Sequence, residues 1–142
     1  MKLTRYSDYA LRVSLYLAIH QSRLVQISEI IEAYDLPRSN IMKLITDLVG
    51  AGFLESVRGR AGGIRLARPL ADLTIGEIVR HTERDQPMVD CSNCILAPEC
   101  GLICILNEAK SAFFAVLDGY TLEHVTKNNP TALQKLTGIS VT

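Results

Sequence analysis

The sequence predicts a mainly α-helical fold: a winged helix-turn-helix with a small β-hairpin wing and a long C-terminal dimerisation helix. Three observations predict it. Apolar residues recur at helical spacing in short stretches before Gly50, a glycine-rich turn flanked by arginines joins two extended pieces after it, and a broad apolar helical face follows Cys100.

From Asp8 to Ile19, Ala10, Val13 and Leu17 form a stripe that Leu11, Leu15 and Ile19 widen enough to pack on two sides, giving the first helix. Ser28 is placed to cap a short second helix, Glu29 to Tyr34. Asp35-Leu36-Pro37 then turns the chain, with Pro37 near the first position of a third helix. Ile41, Leu44, Ile45 and Leu48 give that helix its apolar face, Arg38, Ser39, Asn40 and Lys43 lie on its polar face, and Gly50-Ala51-Gly52 stops it. Extended pieces around Leu54 to Val57 and Ile64 to Leu66 flank Arg58-Gly59-Arg60-Ala61-Gly62-Gly63, which has the glycine content of a hairpin turn. Thr74-Ile75-Gly76-Glu77 reads as a capping box opening a fourth helix toward His81. Thr82 to Asp90 then links into a cysteine run.

Beyond it, Leu102, Ile105, Leu106, Ala109, Phe113, Val116 and Leu117 share one broad helical face that Ile103 and Phe114 extend. One short domain does not cover so much apolar surface, so a C2 homodimer is expected. Thr121 starts a last short helix, and a tail begins at Asn128. The expected organisation is a DNA-binding domain over 1–82, a cysteine-rich loop over 83–104, and a dimerisation helix with its tail over 101–142.

At 142 residues the chain is long enough for one core rather than two ordinary domains. Its 48% hydrophobic and 21% charged residues place it among folded rather than disordered chains. The first residues are too polar for a signal peptide and no apolar run is long enough to span a bilayer, so no membrane role and a cytoplasmic location are expected. Net charge is zero, yet Lys plus Arg against Asp plus Glu count 10 to 6 in residues 1–70 and 5 to 9 in residues 71–142. The basic half calls for an anionic partner.

Double-stranded DNA suits that half. In a helix-turn-helix the second helix of the pair enters the major groove, where Asn40 can pair bidentately with adenine and Arg38 with guanine, while Ser39 and Lys43 suit phosphates. Arg58, Arg60 and Arg65 surround a turn slim enough for the minor groove. A solvated helix face and an incidentally basic hairpin are the bland alternatives, and both would have to coincide in one chain.

All four cysteines, Cys91, Cys94, Cys100 and Cys104, fall in one short run. Thiolates repel one another unless a soft cation such as iron or zinc neutralises them, and a reducing compartment disfavours the disulfide alternative. Zinc in a closed structural site, as part of an interaction module, stays open on spacing alone. His20, His81 and His124 follow no ligand spacing with the cysteines, which points to surface or cap roles. No nucleophile with its base, no carboxylate pair and no phosphate-cradling glycine loop appears, so an enzyme is not expected.

The opening Met1-Lys2-Leu3-Thr4, then Ser7-Asp8-Tyr9-Ala10-Leu11-Arg12, Val57 through Leu66, Ile75-Gly76-Glu77-Ile78-Val79, Cys94-Ile95-Leu96-Ala97-Pro98-Glu99-Cys100 and Gly119-Tyr120-Thr121-Leu122 together carry a resemblance along nearly the whole chain. The chain resembles the Rrf-type iron-sulfur winged-helix regulators of bacteria, in particular their nitric-oxide-sensing NsrR repressors. The resemblance implies a repressor of a palindromic operator, with an iron-sulfur cluster held by Cys91, Cys94 and Cys100 and by Asp8 from the partner subunit. A 4Fe-4S cluster is favoured over 2Fe-2S, and nitric oxide is the implied signal. Two departures from the family pattern stand out: only two residues separate Cys91 from Cys94, and Cys104 is additional. Cys104 lies one helical turn after Cys100, so a four-thiolate site independent of Asp8 is the alternative ligand set. Asp8 also has a plainer role, favouring the dipole at the start of its helix. A relative that responds to iron or cluster supply shares the same architecture.

Overall fold

The structure is a computed structural model that describes residues 1–128 together with Thr131 and Lys135; the rest of the expected C-terminal tail lies outside the described residues. Helix α1 (Arg5–Ile19) begins three residues before the expected start at Asp8, because the Thr4 hydroxyl caps it by accepting the Ser7 amide at 3.2 Å. Ala10 and Val13 are fully buried and Leu17 nearly so.

Helix α2 (Ile27–Tyr34) corrects one expectation. Ser28 does not cap it but lies inside its first turn, and Gln26 takes the cap position without a side-chain bond to the helix. The reason is not local. Val25 is held extended by a two-way bridge to Ile64, with N–H to O distances of 3.0 and 2.8 Å, so the chain turns helical directly after it. The Gln26 amide instead donates to the Gly62 carbonyl. Asp35, in the left-handed region at φ 53°, ends α2 before Leu36-Pro37.

Helix α3 (Arg38–Gly50) buries Ile41, Leu44, Ile45 and Leu48 as its spacing requires. Strands β1 (Leu54–Val57) and β2 (Gly63–Leu66) pair antiparallel, setting Leu54 opposite Leu66 and Glu55 opposite Arg65. A single 3-10 turn, Leu70–Asp72, which sequence periodicity does not announce, leads to α4 (Ile75–Glu83). Thr74 and Glu77 form the expected capping box, each side chain accepting the other's backbone amide at 3.1 Å. Helix α5 spans Leu102–Asp118, and Thr121 caps α6 (Leu122–Lys127) by accepting the His124 amide.

One core forms around α1, which touches α3, α4, α6 and β2. Val13, Ile30, Ile41, Leu44, Leu48, Ile78 and Leu122 are among its fully buried side chains. Burial of this kind stabilises by about 1.5 to 3 kcal/mol per large aliphatic side chain. The start of α6 is tied to the start of α4 by Leu122 N–H to Leu73 O at 3.0 Å and Ile75 N–H to Tyr120 O at 2.9 Å.

Helix α5 sits on α4 through its C-terminal half. Phe114 is buried, the Arg80 guanidinium lies 4.7 Å from its ring centroid, and Arg80 grips both oxygens of Asp118 at 2.5 and 2.8 Å. The opposite side of α5 leaves Leu102, Ile105 and Val116 more than half exposed, so the helix is apolar on two sides. Among the described residues no helix is long and apolar enough to cross a membrane.

Gly76 fixes how closely α4 and α5 approach, since a Cβ there would stand 1.9 Å from Asp118 Oδ1 and 2.9 Å from the Asp118 amide nitrogen. The substitution Gly76→Ala is expected to displace Asp118 from Arg80 and cost about 1 to 3 kcal/mol, typical of overpacking. Urea unfolding followed by circular dichroism checks this; an unchanged midpoint would show that the contact is not limiting.

Candidate DNA interface and cysteine loop

The solvent face of α3 carries Arg38, Ser39, Asn40 and Lys43, all exposed as its periodicity requires. Met42 and Thr46 share that face, and neither was singled out from the sequence. Met42 is 42% exposed and stands one turn after Arg38. The two line a cleft of about 360 Å³ with Gln26 and Ser28 of the α2 start and Ser56 to Gly59 of the wing. The sequence signal was available: an apolar residue out of phase with Ile41, Leu44 and Leu48 has no core to enter.

The wing holds its arginines in two different states. Arg58 and Arg60 are exposed at the tip, whereas Arg65 on β2 forms an ion pair with Glu55 at 2.7 Å directly across the hairpin. Gly62 makes the turn possible, because a Cβ there would lie 2.0 Å from the Val57 carbonyl oxygen.

Residues 84–101 run between α4 and α5. Lys110 of α5 anchors their start, donating to Asp85 Oδ1 at 2.7 Å and to the Gln86 carbonyl at 2.9 Å. Two successive turns follow, Cys94 N–H to Cys91 O at 3.3 Å and Ala97 N–H to Cys94 O at 3.2 Å. All four thiols are free: Cys91 and Cys100 are half-buried, Cys94 and Cys104 exposed. Cys91 lines an open cavity of about 660 Å³ with Met88, Asp90, Ile103 and Leu106. Among the described residues, no three His, Cys, Asp or Glu side chains converge closely enough to hold a metal ion. The structure thus places Cys91, Cys94 and Cys100 in this loop and Cys104 in the first turn of α5, without closing them into a site. As a donor set they fit soft iron or an iron-sulfur group, being unpaired, accessible and all sulfur.

Asp8, in the first turn of α1, is held by its own chain. Arg12 donates to its two carboxylate oxygens at 2.9 and 3.2 Å, and the Arg12 guanidinium lies 5.9 Å from the Tyr34 ring centroid.

A third constellation joins α3 to the end of α4, after which the cysteine loop begins. Asp47 Oδ2, near the C-terminal end of α3, accepts from the Tyr6 hydroxyl of α1 and lies 2.9 Å from His81 Nε2 of α4. Burial and the bond to Asp47 push the Tyr6 phenol up to about 12. One residue further along α4, Thr82 Oγ1 lies 2.7 Å from Ser7 Oγ. Glu83 Oε1 then accepts from the Ser7 hydroxyl at 2.7 Å and from the Thr4 amide at 2.9 Å. His81 therefore has a structural partner rather than a surface role. Neither Asp47 nor its partners were legible from spacing, since each comes from a different helix.

The Tyr6 hydroxyl first, and His81 after it, hold the Asp47 carboxyl below the usual carboxylate value of 3.8. A depressed folded-state value contributes stability that is present above the unfolded value and lost as pH falls through the folded one. Wild type is expected to lose stability below about pH 4 more steeply than Asp47→Asn, in which this contribution is gone at every pH. Denaturant midpoints of the two proteins measured from pH 7 to pH 3 check it, and parallel curves would count against it.

Relatives agree with this architecture. The family model described as Rrf2, iron-dependent transcriptional regulator, matches residues 3–128. The chain is 46% identical over 134 residues to the HTH-type transcriptional regulator NsrR of Bacillus licheniformis, spanning 90% of this chain and 94% of the relative. It is 44% identical over 142 residues to the regulator of the same name from Bacillus subtilis strain 168, spanning 96% and 97%. Among solved structures, T. potens IscR matches with a TM-score of 0.77 at 27% identity over 93% of this chain and 90% of that one. CymR of B. subtilis, a global cysteine regulator, matches with a TM-score of 0.69 at 25% identity over 90% and 98%. The chain therefore belongs to the Rrf2 family of transcriptional regulators, as a regulator similar to NsrR.

Proposed function

We propose that this chain is a homodimeric repressor that binds a palindromic operator and lets go when an iron-sulfur cluster in its cysteine loop meets nitric oxide. The observation that carries the reading is the joining, through the single helix α4, of a loop with three free thiols and a fourth at the start of α5 to a winged helix with a basic exposed face. Residues 1–82 grip DNA, 83–104 hold the cluster, and from 101 onward α5 buries Leu102, Ile105 and Val116 against a second copy.

In the interface, Arg38 and Asn40 read base edges, Ser39 and Lys43 take phosphates, and Arg58 and Arg60 reach the minor groove from the wing. Arg65 contributes only when it leaves Glu55. Met42 offers an apolar contact for a thymine methyl group. Two such helices, one per protomer, must sit about 34 Å apart to meet both half-sites, so any change in dimer geometry changes affinity.

Cys91, Cys94 and Cys100 would hold the cluster, with Asp8 of the other protomer or Cys104 as the remaining ligand. When bound, the cluster supplies iron that reacts directly with nitric oxide. Arg12 donates once to each Asp8 oxygen and leaves each a further acceptor site, so the pair orients the carboxylate while leaving it free to reach another protomer.

The reading is tested by anaerobic absorbance, iron and sulfide analysis, and gel shift on the purified dimer before and after nitric oxide. Loaded protein is expected to shift its operator and to lose it on treatment, by about 5 to 150-fold in affinity; equal binding before and after would defeat the sensor reading. Cluster retention in Asp8→Ala and Cys104→Ala distinguishes the ligand sets. Loss in the first variant alone assigns Asp8, and loss in the second alone assigns Cys104. The family's iron-dependent description favours a second reading in which cluster occupancy itself is the signal. Release on iron chelation but not on nitric oxide would select it.

A further inference from the structure

We infer that Asp47 is the positioning residue through which the state of the cysteine loop reaches the DNA-reading helix, an inference that rests on the function proposed above. Three helices meet on one carboxylate oxygen: Asp47 Oδ2 of α3 is shared by the Tyr6 hydroxyl of α1 and His81 Nε2 of α4. The three consecutive residues His81, Thr82 and Glu83 then bind in order to α3, to Ser7, and to Ser7 and Thr4. The next residue, Arg84, opens the loop that leads to the cysteines and sets its guanidinium 5.8 Å from the Tyr6 ring centroid. Any turn or shift of the α4 end therefore acts on α1 and α3 together, and Tyr6 closes the triangle between them.

The position of Asp47 on α3 makes the coupling effective. It lies near the C-terminal end of the helix, roughly 13 Å along the axis from Arg38 at 1.5 Å per residue. A tilt of about 5° imposed there moves the base-reading end by about 1 Å, enough to spoil hydrogen bonds whose useful range is about 2.7 to 3.2 Å. The buried residues between, Ile41, Leu44 and Ile45, are packed in the core, so α3 responds as a rigid body rather than by bending.

The test uses full-length Asp47→Asn, Tyr6→Phe and the double variant, each with the cluster loaded anaerobically and each stripped with an iron chelator. Binding is read by fluorescence anisotropy on a duplex selected from a random pool by loaded wild type. The ratio of loaded to stripped affinity is expected to fall below about 3-fold in either single variant, against about 5 to 150-fold in wild type. The double variant is expected to go no lower than the singles, since both substitutions cut one link. Loaded variants should keep the wild-type absorbance spectrum, while hydrogen exchange of their α3 amides should match stripped wild type. Variants that lose affinity or melting temperature in both states but keep the wild-type ratio would overturn the inference and leave Asp47 a merely structural residue. Tyr6→Phe removes one hydroxyl and no charge, so it answers the question even where Asp47→Asn folds poorly. A wild-type ratio of one would overturn the sensing function itself, an outcome distinct from an unchanged ratio in the variants.

Discussion

The need to cover helix α1 on more than one side organises this molecule. Ala10, Val13 and Leu17 are shut from solvent, and α3, α4, α6 and β2 each supply part of the wall. A helix buried on several faces can meet its neighbours' polar groups only near its ends. The first turn of α1 is accordingly dense with hydrogen bonds, from Thr4, Tyr6 and Ser7 to Asp47, Thr82 and Glu83. The same few residues that seat the helix therefore also join α3 to the helix that leads into the cysteine loop. Asp8 stands in that turn as well, so whatever engages its carboxylate acts at the joint.

Much of the fold was legible because its signals are local. The Thr74 and Glu77 capping box lies within four residues, and the Asp35-Leu36-Pro37 turn and the glycine-rich wing are as compact. What failed depended on distant partners. Ser28 lost its cap role because Ile64, far along the chain, holds Val25 extended and moves the helix start back. Arg65 looked equivalent to Arg58 and Arg60 until the hairpin register placed Glu55 opposite it. Asp47 and His81 share no motif, and only the packing of α1, α3 and α4 brings them to one oxygen. For the candidate site, spacing gathered the four thiols into one short run, which the structure divides between the loop and the first turn of α5, and which of them converge depends on groups outside this chain's local spacing.

Charge is divided in the same way as structure. The basic half forms the winged helix, while the acidic excess of the second half is partly matched by its own cations: Arg80 on Asp118, Lys110 on Asp85 and Lys127 on Glu123. These pairs are largely exposed and screened by solvent, so each contributes little to stability. Their effect is to fix orientation, with Lys110 pinning the first residues of the cysteine loop against α5 and Arg80 seating α5 on α4. Among the described residues, exposed cations outside such pairs include Arg38 and Lys43 on α3, Arg58 and Arg60 at the wing tip, and Lys2 and Arg5 around the start of α1.

A loop that carries a chemical signal must be able to rearrange without unfolding its host. Residues 84–101 meet that condition, since Met88, Val89, Ile95 and Leu96 are substantially exposed and none of the loop belongs to the buried core. Segments with so few packed apolar contacts open at low free energy while a core of this kind stays closed. The α4 end to which the loop is joined is the opposite case, with Ile78, Val79 and Thr82 buried and its polar groups bonded to two other helices. A soft segment feeding a stiff one lets a local rearrangement pass as a displacement instead of dissipating as disorder. That contrast in local stability, more than any single contact, is what the proposed function draws on.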